Sequence, residues 1–242
     1  MGQDYPWPAR PRKTGETVDR RSFLIATAAA ASATTAALPA AAQSPRMVPV
    51  AFDARWRALT FPGRTPTRYK LGGTTLTIEA DASSSLIYRP APDAARGATT
   101  ARWSWSVSAS VPPTDLSRKG GDDRNLSVYF VFMDPQAAAR LSPDTSPRRL
   151  LANRSARALI YVWGGQRAPG SLIPSPYMRG RGVTVVLRGP GTGRAQARVD
   201  LAADHASAFR TAPGVLVGLA VSADSDDTDT ALRASLSNLA LG

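Results

Sequence analysis

From Ala101 to Ser110 the chain alternates apolar and polar residues without a break. Ala101, Trp103, Trp105, Val107 and Ala109 fall on one face, and Arg102, Ser104, Ser106, Ser108 and Ser110 on the other. That period of two predicts a strand with one face in a core and the other in water. Leu126 to Met133 is apolar on both faces, which predicts a central strand covered on two sides. Ala158 to Trp163, Val183 to Leu187 and Val215 to Val221 have the same character. Leu71 to Ala80 reads as a hairpin, with Gly72-Gly73 as its turn and Leu76, Ile78 and Ala80 alternating after it. Ser83 to Arg89 is a further strand, and Leu232 to Leu241 closes the chain as a half-buried one. Helical periodicity is weak, confined to Pro135 to Leu141 and Asp204 to Arg210. Short strands separated by Gly, Pro, Asp and Ser predict an all-β fold: a two-sheet antiparallel sandwich or jelly roll with one or two short helices. It is expected to form a single domain over 50–242, preceded by a Pro- and Ser-containing linker at 43–49.

The N-terminal pattern is different. Asp19-Arg20-Arg21-Ser22-Phe23-Leu24 resembles the twin-arginine export motif. A mild apolar run from Phe23 to Leu38 follows, and Pro39-Ala40-Ala41-Ala42 supplies a small-residue cleavage pattern. The run is shorter than the roughly 20 apolar residues of a spanning helix. Residues 1–42 are therefore expected to be a signal peptide handled by the Tat translocase and removed, leaving no transmembrane anchor. The mature chain is expected to be periplasmic or secreted. Val18, just ahead of the arginine pair, is an alternative start.

Composition narrows the chemistry. The 242 residues include 30 basic and 18 acidic side chains, a formal charge of +12, and no cysteine. Disulfides, thiolate metal sites and cysteine nucleophiles are thereby excluded. The basic excess suits an anionic envelope polymer or lipid surface, although the arginines are scattered and mark no specific nucleic-acid site. His205 is the only histidine, so a histidine-rich metal centre is excluded, and no G-x-S-x-G elbow accompanies it for serine hydrolysis. It is expected at the start of a short helix, solvated or packed. Gly189-Pro190-Gly191-Thr192-Gly193 lacks the Gly-Lys-Ser/Thr of a phosphate loop and reads as a turn. Glu79 is the one glutamate beyond the leader, so a glycosidase pair would have to be built from aspartates.

Three groups of residues are candidates for a site. Asp224, Asp226, Asp227 and Asp229 crowd into six positions, and Asp122-Asp123 form a second pair. Asp122, Asp123, Asp224, Asp226 and Asp227 either converge on a structural calcium or form polar turns paired with arginine. Trp103 and Trp105 share the apolar face of their strand and are expected in the core. Trp163 and Tyr177, each beside Gly or Pro at a strand end, are the aromatic candidates for stacking on a sugar. Arg198, with Asp204 and Phe209, is similar to an arginine, aspartate and aromatic that recur at comparable spacing in the bacterial family the mature chain resembles, which implies either an acidic-ligand site or an ion pair locking a loop.

Several segments in order carry a family resemblance. They are Pro66-Thr67-Arg68-Tyr69, Ser83-Ser84-Ser85-Leu86, Arg102-Trp103-Ser104-Trp105-Ser106-Val107, Lys119-Gly120-Gly121-Asp122-Asp123, Val128-Tyr129-Phe130-Val131-Phe132, Tyr161-Val162-Trp163, Ser175-Pro176-Tyr177 and Asp224-Ser225-Asp226-Asp227-Thr228. Together they resemble the bacterial domain-of-unknown-function family 3047 over roughly 50–242. The strand order is also similar to carbohydrate-binding jelly rolls. Two positions depart from the family pattern: Ser127 stands where an arginine is usual before Val-Tyr, and a tryptophan upstream of Arg198 is missing. The expectation is a non-catalytic binder of a cell-envelope or extracellular glycan. The alternatives are a polysaccharide-acting enzyme using aspartates such as Asp122 and Asp226, and a basic protein docking on anionic polymer or lipid.

Overall fold

The computed structural model describes residues 47–142 and 144–242, so the signal-peptide reading and residues 43–46 of the linker lie outside the described residues. The described chain is a two-sheet β-sandwich. The first sheet contains β1 (Val48–Pro49), β3 (Arg68–Gly72), β4 (Thr75–Asp81), β6 (Thr100–Ala109), β11 (Gly193–Asp200) and β13 (Ala231–Leu241). Its order is β11-β6-β13-β4-β3, with β1 adding to β13. The second sheet contains β2 (Arg57–Thr60), β5 (Ser84–Pro90), β7 (Arg124–Met133), β8 (Arg157–Trp163), β9 (Leu172–Pro174), β10 (Gly182–Arg188) and β12 (Val215–Asp224). Its order is β2-β5-β12-β7-β8-β10-β9. The helices α1 (Pro135–Ala139), α2 (Pro147–Ala152) and α3 (Leu201–Phe209) are short. Among the described residues no helix is long and apolar enough to cross a membrane.

The alternating strand behaves as its pattern requires. Ala101, Trp103, Trp105 and Val107 of β6 are buried between the sheets. Trp103 meets Phe130 and Tyr161 at ring separations of 6.0 and 5.8 Å, and Trp105 meets Trp163 edge-on at 5.6 Å. Strand β7 lies between β12 and β8 at the centre of the second sheet. Its inward residues Leu126, Val128, Phe130 and Phe132 join the inter-sheet core. Val131 and Met133 join a second apolar cluster on the outer side with Ala138, Ile160, Val162, Val186 and Val217. Two-sided cover is why β7, β8, β10 and β12 read as nearly continuous apolar runs. The Gly72-Gly73 hairpin also forms: Gly72 faces Thr75 across a two-residue loop. Gly73 holds φ +71°, a conformation glycine reaches without a Cβ penalty.

Several elements differ from the sequence reading. The sheets are not wholly antiparallel, because β10 runs parallel to β8. After β8 the chain passes to the sheet edge, makes β9, and returns between them, so β9–β10 is the antiparallel pair. Val48 and Pro49, read as linker, pair with Leu241 and Ala240. Strand β11 leaves little pattern because it is an edge strand that buries only Val199 and whose exposed Arg194, Gln196 and Arg198 alternate with the small Ala195 and Ala197. Helix α2 is too short for periodicity, but Ser146 caps it by accepting from the Arg149 N–H at 3.3 Å, with Pro147 behind it.

Helix α3 begins three residues before the predicted helix, capped by Asp200, so His205 lies mid-helix rather than at its start. His205 is 2% exposed and packs on Phe132 and Phe209, and its Nδ1–H donates to the Thr211 carbonyl at 2.9 Å. Burial holds its pKa below the ordinary 6.5. The folded protein keeps the ring neutral where the unfolded chain takes up a proton. This contribution to stability therefore falls as pH drops through the unfolded value, by at most about 1.4 kcal/mol per pH unit. Urea denaturation of wild type and His205→Gln from about pH 7.5 to about 5 checks this. The wild-type curve should fall relative to the variant's; parallel curves would contradict it.

Candidate functional site

The site begins at the first residue of β7. Opposite β12 the register slips: Ser222 faces Ser127, but Asp224 faces Arg124, so β7 carries a bulge over Asn125 and Leu126. A bulge re-aims the side chains beyond it, and Arg124 is turned onto the same outer face as Ser127 and Tyr129. Its guanidinium is then fully engaged. Nε donates to Ser127 Oγ at 2.7 Å, Nη1 to the Asp122 carbonyl and Asp122 Oδ2 at 2.7 and 2.8 Å, and Nη2 to the Tyr129 hydroxyl at 2.9 Å. Nη2 also stands 2.8 Å from Asp224 Oδ2. Asp122 Oδ1 accepts from Tyr177 at 2.6 Å, and Asp224 Oδ1 from Ser84 at 2.7 Å. Gly164 permits the close approach of the next strand: a Cβ there would stand 3.1 Å from Arg124 Cα, at φ +146°.

The network is nearly dry, with the Arg124, Asp122 and Asp224 side chains 15, 11 and 7% exposed. Burial opposes the charge on Arg124, but Asp224, Tyr129 and Asp122 hold it firmly protonated. Burial likewise pushes the Asp224 carboxyl up, against the pull of Arg124. Burial and the bond to Asp122 push the Tyr177 phenol up, so it remains a hydrogen donor.

Beside this network lies a second acidic group. Asp123, Asp226 and Asp227 bring carboxylate oxygens within 4.8 Å of one another, an arrangement that could hold a metal ion. Asp123 Oδ2 caps the β12–β13 turn, accepting from the N–H groups of Asp227 and Thr228 at 3.1 and 2.8 Å and from Thr228 Oγ1 at 2.7 Å. Its Oδ1 is buried and has no hydrogen-bond partner among the described residues. Arg64 Nη1 lies 2.8 Å from Asp226 Oδ2. Burial, helped by Asp227, pushes the Asp226 carboxyl up to about 6.

Along the same outer face a groove of about 760 Å³ runs over β5, β12 and β7. In the sheet register Tyr88 faces Ala220 and Ala220 faces Tyr129; Pro90 faces Gly218 and Gly218 faces Val131. These residues lie along the groove. Leu141, Pro147, Leu150 and Leu151 of the α1–α2 segment line one part, and Arg55, Arg57 and Leu59 another. Tyr129 joins the groove to the Arg124 network, and Met178, next to Tyr177, also lines it.

The structure therefore divides the residues singled out from the sequence. Tyr177 is 56% exposed and is brought to Asp122. Asp122 and Asp224 do not join the other three aspartates, because their oxygens are taken by Arg124, Tyr177 and Ser84. Trp163 is a core residue, 1% exposed, with Nε1 donating to the Gly191 carbonyl at 3.1 Å and Arg188 stacked 4.6 Å from its ring. It offers no open face to a sugar. Arg198 lies on the exposed face of β11 opposite Arg102, away from the groove. Asp204 accepts from the Tyr161 hydroxyl at 2.6 Å instead of pairing with Arg198, and Phe209 packs on His205. Sequence reasoning missed Arg124, Tyr129 and Arg64. The one signal was the departure at Ser127, which is the acceptor for Arg124 Nε.

Comparison with known proteins adds the following. No curated protein matches the chain. Among solved structures, a loop-swap mutant of Xyn11A from Necallimastix patriciarum is 12% identical, covering 81% of this chain and 99% of that one at a TM-score of 0.39. The xyloglucanase domain of NopAA, a type three effector from Sinorhizobium fredii solved with cellobiose, is 7% identical, covering 77 and 92% at 0.41. Endoglucanase 3 of family GH12 from Trichoderma harzianum is 10% identical, covering 82 and 99% at 0.36. At such scores the sheets do not superpose closely enough to transfer a residue or an activity. The family model described as "Protein of unknown function (DUF3047)" matches residues 54–240. The bulged β7 with its buried arginine, the paired aspartates and the sandwich around them thus belong to a member of the DUF3047 family.

Proposed function

We propose that this is an exported, non-catalytic binding protein that takes a glycan of the cell envelope or extracellular space into the groove over β5, β12 and β7. The observation that carries the reading is the groove itself: about 760 Å³, with Tyr88 and Tyr129 along it and the Arg124–Asp122–Tyr177 network adjoining it. Pockets of this size, with aromatic faces and a few oriented polar groups, suit sugar rings and their hydroxyls. Hydrolysis is disfavoured because it needs one protonated and one ionised carboxyl facing the scissile bond. Asp122 spends both oxygens on Arg124 and Tyr177, Asp226 is paired with Arg64 at 2.8 Å, and neither lines the groove. Export by the twin-arginine route places the protein in the periplasm or outside the cell, and a structural calcium completes the reading.

Co-sedimentation of the protein with cell-wall sacculi and insoluble polysaccharides, in low and high salt, tests this function. Salt-resistant retention on one glycan is expected. Retention that vanishes in high salt would instead assign binding to the basic outer face of the first sheet. There Arg68, Lys70, Arg102, Arg194, Arg198 and Arg233 stand exposed and would be screened within about 8 Å.

A further inference from the structure

Three connections meet at one end of the sandwich. Arg64 comes from the β2–β3 connection, Asp123 from the β6–β7 connection, and Asp226 and Asp227 from the β12–β13 turn. Asp123 is 1% exposed, and among the described residues its Oδ1 has no hydrogen-bond donor while Oδ2 accepts three. A buried carboxylate oxygen without a partner is costly, and most such atoms have a donor or an ion. The same residue belongs to a group of three carboxylates that bring oxygens within 4.8 Å of one another. Among the described residues their only cationic partner is Arg64, at 2.8 Å from Asp226 and 3.9 Å from Asp227. One guanidinium offsets one of three charges and leaves Asp123 Oδ1 unserved. Arg64 is also the most exposed member, its side chain 47% exposed.

We infer that Asp123, Asp226 and Asp227 bind calcium, and that Arg64 is the placeholder the ion displaces. This rests on the structural-calcium part of the reading above and not on the glycan. Calcium holds its oxygens at about 2.3–2.6 Å, so ligands across it stand roughly 5 Å apart, whereas magnesium at about 2.1 Å draws them closer. Magnesium also demands near-ideal octahedral geometry, which three carboxylates from separate connections do not impose, whereas calcium accepts about six to eight oxygens in a flexible arrangement. Asp123 Oδ1 supplies the buried ligand, Asp226 and Asp227 the outer ones, and water completes the shell. A dication at the centre repels the guanidinium, which swings into solvent. Binding would fasten three connections that Arg64 now joins only in part. It would also stiffen Asp122 and Asp224, the sequence neighbours that grip Arg124.

The test is calorimetric titration of the chelator-treated protein with calcium chloride, with magnesium chloride as control, and melting of each sample. The proteins are wild type, Arg64→Ala and Asp226→Asn. Wild type should take up one calcium with a Kd of about 0.1–1 mM, as extracellular calcium modules do. Its Tm should rise by about 5–10 °C at a hundredfold excess over Kd. Arg64→Ala should bind at least about tenfold more tightly, having lost the competitor, and Asp226→Asn at least about tenfold more weakly. Magnesium should bind more weakly than calcium. No saturable calcium uptake by either wild type or Arg64→Ala would overturn the ion site. Equal affinity of the two would overturn the exchange and leave the site. Melting in chelator identifies a variant that has merely failed to fold, and no glycan enters the readout.

Discussion

Replacing Arg124 with methionine should cost about 3–5 kcal/mol of folding stability, because it leaves two nearly buried carboxylates facing no cation. In thermal denaturation that is a fall in Tm of roughly 6–20 °C for a domain of this size. The cost comes from what remains behind. Asp122 and Asp224 are 11 and 7% exposed at the side chain, and Ser127 and Tyr129 also lose their donor. Converting Asp122 and Asp224 to asparagine in the same chain should recover part of the loss, since neutral amides need no counter-charge. A single-variant effect near 0.5 kcal/mol, typical of an exposed pair, would show that water reaches the cluster.

Replacing Trp163 with alanine should cost about 3–5 kcal/mol, the usual penalty for deleting a large buried ring. The indole packs edge-on to Trp105, donates to Gly191, and carries Arg188 over its outer face. Glycan retention of the folded variant should be unchanged, because Trp163 faces the inter-sheet core while the groove lies on the other side of the second sheet. Denaturant titration gives the stability, and co-sedimentation below the Tm gives the binding. A well-folded variant with lost retention would return Trp163 to the binding surface.

The period-two pattern of β6 and the two-sided apolar runs of β7, β8, β10 and β12 made the sandwich legible, because burial dictates side-chain polarity along a strand. Elements with little to bury left little trace. Strand β2 and edge strand β11 are short or polar, and the parallel β8–β10 pair arises from a path that no local residue encodes. The aspartates were visible as a crowd, but their division was not. Arg124 claims Asp122 and Asp224 because a one-residue bulge turns its side chain, and Arg64 reaches Asp226 from 162 positions away. Trp163 misled because a glycine after a tryptophan suggests an open strand end. Here the glycine instead admits the backbone of Arg124.

Gly218 gives the most direct access to the groove. A Cβ there meets its nearest neighbours, the Arg89 carbonyl oxygen, Leu150 and Val131, at ordinary contact distances of 3.8–4.0 Å, so a Cβ is accommodated. The deciding measurement is the affinity of wild type and Gly218→Leu for the glycan retained in high salt, with the Tm of each recorded. Leucine should fill the floor between Pro90 and Val131, weaken binding at least about tenfold, and cost no more than about 3 kcal/mol of stability. Unchanged affinity in a folded Gly218→Leu protein would contradict the groove as the glycan site.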